Sequence, residues 1–102
     1  MTYKVFRTDL AERDLDSILN YIALILANPK AAADLLDQYS SKLAVLSKTP
    51  QIYPLSRIQK LSGMGLRSFV FGNYIAFFKI DDEDKAVTIS RVFYQRPETR
   101  NA

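Results

Sequence analysis

The last third of the chain, from residue 66 to residue 96, constrains the fold more than any other stretch. It holds three short segments rich in Val, Ile, Phe and Tyr, the residues that β-strands prefer. Gly72-Asn73 separates the first two segments and suits a tight two-residue hairpin turn. A run of acidic residues, 81–84, forms the second, solvated turn. The pattern predicts an antiparallel meander with strands over residues 66–71, 74–80 and 86–94.

The chain begins with a pattern that predicts one strand followed by a helix. Residues 3–8 alternate well enough for a strand. Thr8 and Asp9 can each cap the helix that follows, and Asp9 with Glu12 resembles a capping box. Leu24 lies on the polar face of this helix. Apolar residues at helical spacing predict its buried stripe: Leu15, Ile18, Leu19, Ile22, Ile25 and Leu26.

A second amphipathic helix follows after a short connection. Asn28 is expected to be its N-cap, with Pro29 at the first helical position, and Thr49-Pro50 ends it. Its predicted stripe contains Ala32, Leu35, Leu36, Tyr39, Leu43 and Leu46. Two helices joined so closely form an antiparallel hairpin, whose apolar face needs a sheet to cover it.

These elements predict a single α+β domain over residues 1–102 with the order β-α-α-β-β-β. The helical hairpin is expected to pack on one face of a mostly antiparallel four-stranded sheet. Residues 51–65 carry a Pro, two Gly and isolated apolar residues, which indicates an extended loop with room for one helical turn. Residues 97–100 are expected to form a loose tail.

The chain contains no Cys and no His. Disulfide frameworks, thiolate metal sites, His-dependent triads and His-based nuclease mechanisms are therefore excluded, and we expect neither a metal nor a cofactor. No apolar run reaches the roughly 18–20 residues that span a bilayer. The first residues lack the apolar core of a signal peptide, so we expect a cytoplasmic protein that does not contact membranes.

The charges are distributed unevenly along the chain. No Asp or Glu occurs from residue 38 to residue 80, whereas this stretch contains six basic residues: Lys42, Lys48, Arg57, Lys60, Arg67 and Lys79. This segregation predicts a positive face, suited to phosphates or to an acidic protein partner. An unevenly charged, solvated surface without a partner explains the pattern equally well.

Several segments together carry a resemblance to a known family. They are DLDSILNYIA in the first helix, LSKTPQIYPL after the second helix, and NYIAFFKID with VTISRVFYQR in the meander. Their order and spacing resemble the RelE/ParE superfamily of toxins from bacterial type II toxin–antitoxin modules. The resemblance implies a growth-inhibiting toxin associated with plasmid stabilisation. It also implies a cognate antitoxin that holds the toxin inactive in a hetero-oligomer, by wrapping an acidic or amphipathic segment around it.

The superfamily implies two alternative activities. ParE-like members poison DNA gyrase, and RelE-like members cleave mRNA on the ribosome without a metal. The ribonucleases carry an Arg directly after the aromatic residue that opens the middle strand of the meander, where this chain has Ile75 after Tyr74. This difference favours gyrase as the target. If the chain is a ribonuclease instead, its catalytic residues are expected to be Arg96, Tyr94 and Arg67, of which Arg96 matches a superfamily position.

Four further residues are expected to bind the target or the antitoxin: Arg57, Lys60, Arg91 and Leu24. Arg91 also has a purely structural interpretation. In regular alternation it shares a strand face with the apolar Val87, Ile89 and Phe93, and an Arg on such a face usually pairs with a carboxylate. The first helix offers two, Asp14 and Glu12. Two other hypotheses stay open: a non-toxic basic binding module, and a degenerate family member that binds an antitoxin but inhibits nothing.

Overall fold

A computed structural model describes residues 2–55 and 63–95 of the chain. The four strands form one sheet in the order β1-β4-β3-β2, in which β1 is parallel to β4 and the other neighbours are antiparallel. The elements are β1 (Lys4–Arg7), α1 (Asp9–Asn20) with a π-helical turn (Tyr21–Ile25), α2 (Pro29–Leu46), a 3-10 turn (Pro50–Ile52), β2 (Arg67–Phe71), β3 (Tyr74–Asp81) and β4 (Ala86–Tyr94). The predicted α+β fold with its helical hairpin and β-α-α-β-β-β order is confirmed.

The core lies between the two helices and one face of the sheet. Its most completely buried large side chains are Phe71, Phe78, Leu46, Ile89, Val87 and Val92. Tyr39 of α2 belongs to an aromatic cluster in this core, with its ring centroid 5.1 Å from that of Phe71 and 6.2 Å from that of Phe69. Full burial of one such side chain stabilises the fold by roughly 1.5–3 kcal/mol, so this layer supplies most of the driving force for folding.

Side-chain caps start both helices. The Thr8 Oγ1 accepts a hydrogen bond from the Ala11 N–H at 3.0 Å, and the Asn28 Oδ1 accepts one from the Ala31 N–H at 3.1 Å. Thr8 and Asn28 are therefore the N-caps, as predicted. The capping box of Asp9 with Glu12 is wrong, because helix α1 begins at Asp9 and the Glu12 carboxylate pairs with Arg7.

The π-helical turn changes which residues of the first helix are buried. The Leu26 N–H donates to the Tyr21 carbonyl, five residues earlier, at 3.0 Å. Each residue in such a turn rotates less about the axis than in an α-helix, so the apolar stripe loses its phase after Ile22. Ile25 is 71% exposed and Leu26 is 55% exposed, and their predicted burial is wrong. Leu36 of α2, also predicted to be buried, is 41% exposed.

Strand β4 contains a β-bulge at Ser90. Phe77 of β3 lies opposite Arg91, whereas the next residue, Phe78, lies opposite Ile89, so Ser90 is the extra residue on β4. The Ser90 carbonyl, displaced from the regular ladder, accepts a hydrogen bond from the Thr8 hydroxyl at 2.8 Å. One hydroxyl thus caps α1 and ties the start of this helix to the bulge.

The bulge reverses the alternation of the strand. Val87, Ile89 and Val92 are buried in the core, so the inward face skips from residue 89 to residue 92. Arg91 therefore points away from the core. The expectation that Arg91 shares a face with Val87 and Ile89 is wrong, whereas the shared face with Phe93 is correct.

Local side-chain chemistry shapes the two turns of the meander. Gly72 has a φ of +59°, which favours glycine, and a Cβ at this position would displace the end of the Leu35 side chain, whose Cδ1 would lie 2.8 Å away. In the acidic turn the Asp81 Oδ1 accepts hydrogen bonds from the N–H groups of Glu83 and Asp84, both at 3.1 Å. Both turns lie where they were predicted.

The predicted loop over residues 51–65 begins with part of the 3-10 turn, and Leu55 forms an isolated bridge with Arg67. Residues 56–62 and 96–102, which include Arg57, Lys60, Arg96 and the predicted tail, lie outside the described residues. In the described part of the chain, no helix combines the length and apolar character needed to cross a membrane.

Candidate functional site

Arg91 is bound to Asp14 at the open edge of β4. Strand β1 pairs only with residues 86–89 of β4, and helix α1 passes along the edge beyond them. There the Arg91 Nε donates to the Asp14 Oδ2 at 2.7 Å and the Arg91 Nη2 donates to the Asp14 Oδ1 at 3.0 Å. The Val92 N–H, which has no strand partner on this side, donates to the Asp14 Oδ2 at 3.0 Å. Asp14 therefore covers the strand edge and neutralises the arginine.

The protonation of this pair follows from its geometry. The hydrogen bond from Arg91 holds the pKa of Asp14 below its ordinary value of 3.8, against the opposing effect of partial burial, and the Val92 N–H lowers it further. The Asp14 side chain is only 17% exposed. The pair is therefore ionised at neutral pH, and of the two predicted partners, Asp14 and Glu12, it is Asp14 that binds Arg91.

Arg91 also stacks on the outer face of the sheet, which the helices do not cover. Its guanidinium carbon lies 4.7 Å from the centroid of the Phe93 ring. Phe93 in turn packs edge-to-face against Phe77, with ring centroids 6.1 Å apart. The arginine is consequently fixed on two sides, by a carboxylate at the edge and by an aromatic ring on the face.

An apolar row crosses three strands on this outer face. Val70 lies opposite Ile75, which lies opposite Phe93. We call these three residues the outer strip. Val70 is 46% exposed and Phe93 is 41% exposed. The strip therefore presents apolar surface at the end of the sheet that carries the Gly72 turn.

Arg67 is engaged with the backbone of the preceding loop. Its Nη1 donates to the Tyr53 carbonyl at 2.6 Å and approaches the Gln51 carbonyl at 3.5 Å. This arginine therefore joins the start of β2 to the 3-10 turn. Within the described residues it makes no ion pair with a carboxylate.

Tyr94 and Arg67 lie at different ends of the sheet. Arg67 is opposite Phe78 of β3, and Tyr94 is opposite Tyr74, four residues away along the same strand. Four residues of a strand span roughly 13 Å, so the register does not bring these two expected catalytic residues together. Tyr94 is 58% exposed and packs edge-to-face on Tyr74, with ring centroids 5.6 Å apart.

A wide groove separates the tip of the helical hairpin from the Gly72 turn. It has a volume of about 860 Å³, and we call it the tip groove. Ile18, Tyr21 and Leu26 line its helical side, whereas Tyr74 and Tyr94 line its sheet side. Burial raises the pKa of Tyr74, and the neighbouring Tyr94 and Tyr21 raise it further, so its phenol is a neutral hydrogen-bonding group.

Leu24 lies beside this groove on the π-helical turn and is 74% exposed, in agreement with its predicted place on the polar face. Ile25 next to it is almost equally exposed. The sequence did not predict Ile25, Tyr21 or Tyr74 as binding residues. The available signal was weak: Tyr tolerates both core and interface positions, and Ile25 fits the helical stripe.

The remaining expected site residues, Arg57, Lys60 and Arg96, lie outside the described residues. Between residues 2 and 55 and between residues 63 and 95, no three acidic side chains gather in an arrangement that could hold a metal ion. The described chemistry is therefore that of ion pairs, phenols and apolar contact surfaces.

Comparison with known proteins relates the chain to one family. A family model described as the ParE toxin of the type II toxin–antitoxin system parDE matches residues 5–98. No curated protein matches the chain at a significant level.

Solved structures with the same fold come from toxin–antitoxin systems. The chromosomal ParDE system of P. aeruginosa gives a TM-score of 0.69 at 20% identity, covering 92% of this chain and 97% of the other. The RelBE2 complex of Mycobacterium tuberculosis gives 0.63 at 26% identity, with coverage of 93% and 100%. The archaeal RelE–RelB complex of Pyrococcus horikoshii gives 0.58 at 16% identity, with coverage of 96% and 100%.

Proposed function

The chain belongs to the ParE family of toxins from type II toxin–antitoxin systems, and we propose that it inhibits growth by binding a protein target, with DNA gyrase as the leading candidate. The observation that carries this proposal is the outer strip. Ile75 stands at its centre, at the position where the resemblance to the ribonucleolytic relatives requires an arginine. An apolar row with a central isoleucine suits contact with a protein better than contact with a phosphate backbone.

The chemistry of RNA cleavage points the same way. Cleavage through the 2′-hydroxyl requires a base, an acid and cations that stabilise the charge developing on the phosphate. Among the described residues, the two arginines of the meander are both engaged: Arg91 with Asp14, and Arg67 with backbone carbonyls. Releasing Arg91 for catalysis would leave the Asp14 carboxylate and the Val92 N–H without partners, which is costly for partly buried groups.

The outer strip has the composition of a protein-binding surface. Interfaces are enriched in aromatic residues and in arginine at their centres and carry other charges at their rims. Phe93 and the stacked Arg91 supply such a centre, and the exposed Lys79 lies on the same face. A rigid sheet presents these side chains with little loss of entropy on binding.

We assign the antitoxin to the tip groove. An amphipathic helix binds such a groove with apolar residues spaced one turn apart, and the exposed Leu24 and Ile25 would extend the contact. Among the described residues that line the groove, Asp34 is the single charged one, so we expect apolar contacts to dominate the binding. The toxin would then be held in a toxin–antitoxin hetero-oligomer in the cytoplasm, where both targets under consideration are found.

Expression without the antitoxin tests the target. If gyrase is the target, induction arrests growth with loss of supercoiling and a DNA-damage response, and the purified protein inhibits supercoiling by gyrase in vitro. Rapid cleavage of mRNA within codons, seen by primer extension, would refute this assignment. Normal growth at high expression would instead support a non-toxic binding module or a degenerate toxin.

Variants of the outer strip test the surface. Ile75→Ser and Phe93→Ser should abolish inhibition of gyrase while the protein still folds and binds its antitoxin. Leu10→Ser is the matched control, because Leu10 is 52% exposed on α1 and lies outside the strip. Equal inhibition by all three variants would exclude the outer strip as the contact surface.

A ribosome-dependent ribonuclease is the alternative, and one observation favours it. Tyr94, the expected catalytic tyrosine, has an exposed side chain at the end of β4, two residues before Arg96. In this case Arg96→Ala and Tyr94→Phe would abolish mRNA cleavage, whereas Ile75→Ser would not. The three variants together distinguish the two activities.

A further inference from the structure

Arg91 retains free hydrogen-bond donors after it pairs with Asp14. A guanidinium carries five N–H donors in one plane. Asp14 accepts one from Nε and one from Nη2, so it occupies the side-on edge of the fork. The end-on edge, formed by Nη1 and the second Nη2 hydrogen, binds no acceptor among residues 2–55 and 63–95. Three donors are therefore available to a partner.

The free edge of Arg91 is held in one orientation. Asp14 fixes the side-on edge, and the guanidinium carbon lies over the Phe93 ring, 4.7 Å from its centroid. The side chain is nevertheless 39% exposed on the outer face of the sheet. An arginine held in this way loses little entropy when it forms a further hydrogen bond. A contact at the end-on edge also leaves the pair with Asp14 intact.

The charges of the outer face favour a negatively charged partner group near Arg91. The Asp14–Arg91 pair is neutral as a unit, and the exposed Lys79 adds a positive charge two residues along β3 from Phe77, which lies opposite Arg91. Lys79 makes no ion pair in the part of the chain that the structure describes. Lys4 and Asp81, which have opposite charges, lie at the far end of the sheet in the row of Ala86.

The shape of the free edge indicates which negative group fits it. Two parallel N–H donors match the two oxygens of a carboxylate, and such charge-assisted pairs are stronger than hydrogen bonds to a neutral carbonyl. Lys79 offsets the repulsion between this second carboxylate and Asp14. A phosphate fits the same fork, but a nucleic-acid backbone requires a row of cations. The neighbouring outer strip is apolar instead.

We propose that the end-on edge of Arg91 binds the carboxylate of an Asp or Glu side chain of the target protein, next to apolar residues that cover the outer strip. The inference rests on the proposed function, which places the target on this strip. It adds the chemistry of the partner surface, an acidic side chain bordered by apolar ones, and it makes Arg91 the residue that selects this surface.

Exchange of Arg91 for lysine tests the fork. Arg91→Lys keeps a positive charge beside Asp14 but loses the planar end-on edge. It should raise the toxin concentration for half-maximal inhibition of gyrase about tenfold, because a bidentate charge-assisted contact is lost. Growth arrest on induction without the antitoxin should weaken in parallel. Arg13→Lys, the same exchange at an exposed position of α1, is the matched control and should change neither readout.

Antitoxin binding separates a recognition role of Arg91 from a structural one. The tip groove, to which we assign the antitoxin, lies on the helical side of the sheet, so Arg91→Lys should bind the antitoxin with unchanged affinity. Full inhibition by this variant would overturn the proposal. Equal losses of affinity for gyrase and for the antitoxin would show that Arg91 acts only through the fold, which would also overturn it.

Salt and Lys79 distinguish a carboxylate from an uncharged acceptor. The affinity of the unchanged toxin for gyrase, measured by surface plasmon resonance, should fall as the NaCl concentration rises. Lys79→Gln should weaken binding about two- to threefold at low salt, whereas Lys48→Gln, which removes the same charge at an exposed position after α2, should not. An affinity independent of salt, or equal losses in the two lysine variants, would contradict a carboxylate partner.

Ile75→Ser separates this inference from the proposed function. If Ile75→Ser abolishes inhibition and Arg91→Lys does not, the target binds the outer strip without a carboxylate on Arg91, and only the inference falls. If neither variant changes inhibition, both the inference and the assignment of the target to the outer strip are wrong. Loss of inhibition in both variants, with antitoxin binding preserved, supports the inference.

Discussion

Asp14 and Arg91 are joined by two hydrogen bonds, from Nε to Oδ2 at 2.7 Å and from Nη2 to Oδ1 at 3.0 Å, across 77 positions of the sequence. The same carboxylate accepts the Val92 N–H, so one aspartate joins α1 to the edge of β4. The pair neutralises the Arg91 guanidinium, whose side chain stays 39% exposed on the outer face of the sheet. It also stabilises the contact between the helical layer and the sheet.

Replacement of Asp14 by alanine is expected to lower the free energy of unfolding by about 2 kcal/mol, because the Val92 N–H and the Arg91 fork lose their acceptor. Asp37→Ala, at an exposed position of α2, is the control and should change stability by less than about 0.5 kcal/mol. Urea denaturation measures both. A small and equal effect of the two substitutions would show that water replaces the hydrogen bonds of Asp14 and that the Asp14–Arg91 pair adds little to stability.

The same pair predicts how stability depends on pH. The pKa of Asp14 in the folded chain lies below its ordinary value of 3.8, so folding favours the ionised form. This contribution is fully present above that value and is lost as the pH falls through the lower folded pKa, from roughly pH 5 downward. We expect Asp14→Asn to flatten the acid limb of a stability profile measured by urea denaturation. An unchanged acid limb in the variant would contradict the lowered pKa.

Gly72→Ala is expected to destabilise the protein by about 1–3 kcal/mol, because alanine is strained at positive φ and its Cβ would collide with Leu35. Gly63→Ala provides a matched control, since a Cβ there meets no atom within 4 Å. Thermal unfolding of both variants gives the comparison. A neutral Gly72→Ala would mean that Leu35 and the turn can move apart at little cost.

Leu24→Ser should leave stability unchanged within about 0.5 kcal/mol, because this side chain is 74% exposed. The affinity of the Leu24→Ser variant for the antitoxin should fall about tenfold, because one apolar contact that is buried at the interface is lost. Isothermal titration calorimetry measures the change, with Ile52→Ser as a control at another exposed aliphatic residue, on the 3-10 turn. An equal loss of affinity in the two variants would remove the tip of the hairpin from the antitoxin interface.

Local patterns were sufficient for the elements of the fold. The caps at Thr8 and Asn28, the glycine turn at Gly72 and the run of acids before β4 are determined by residues within a few positions of one another. Their interpretation therefore needed no tertiary information. The sequence also limited the expected partner of Arg91 to two carboxylates, Asp14 and Glu12. An arginine among apolar strand residues usually pairs with a carboxylate, and α1 contains these two.

The candidate site was much less predictable. Alternation over residues 87–93 places Arg91 with the core residues, and the bulge at Ser90 reverses this assignment. Regular helical spacing predicts that Ile25 is buried, whereas the π-helical turn leaves it exposed. Both irregularities insert one residue into a regular repeat, and neither the π-helical turn (Tyr21–Ile25) nor strand β4 contains a glycine or proline that would mark the position.

From its sequence alone, this chain determined its order of strands and helices, its caps and turns, and its likeness to a toxin family, because these depend on short-range spacing and on residue types. Only the tertiary structure decided which side chains lie in the core and which are exposed on the outer face of the sheet or at the tip of the helical hairpin. That decision depends on the phase of each strand and helix after its irregularity, and on which edges remain unpaired once the layers pack together.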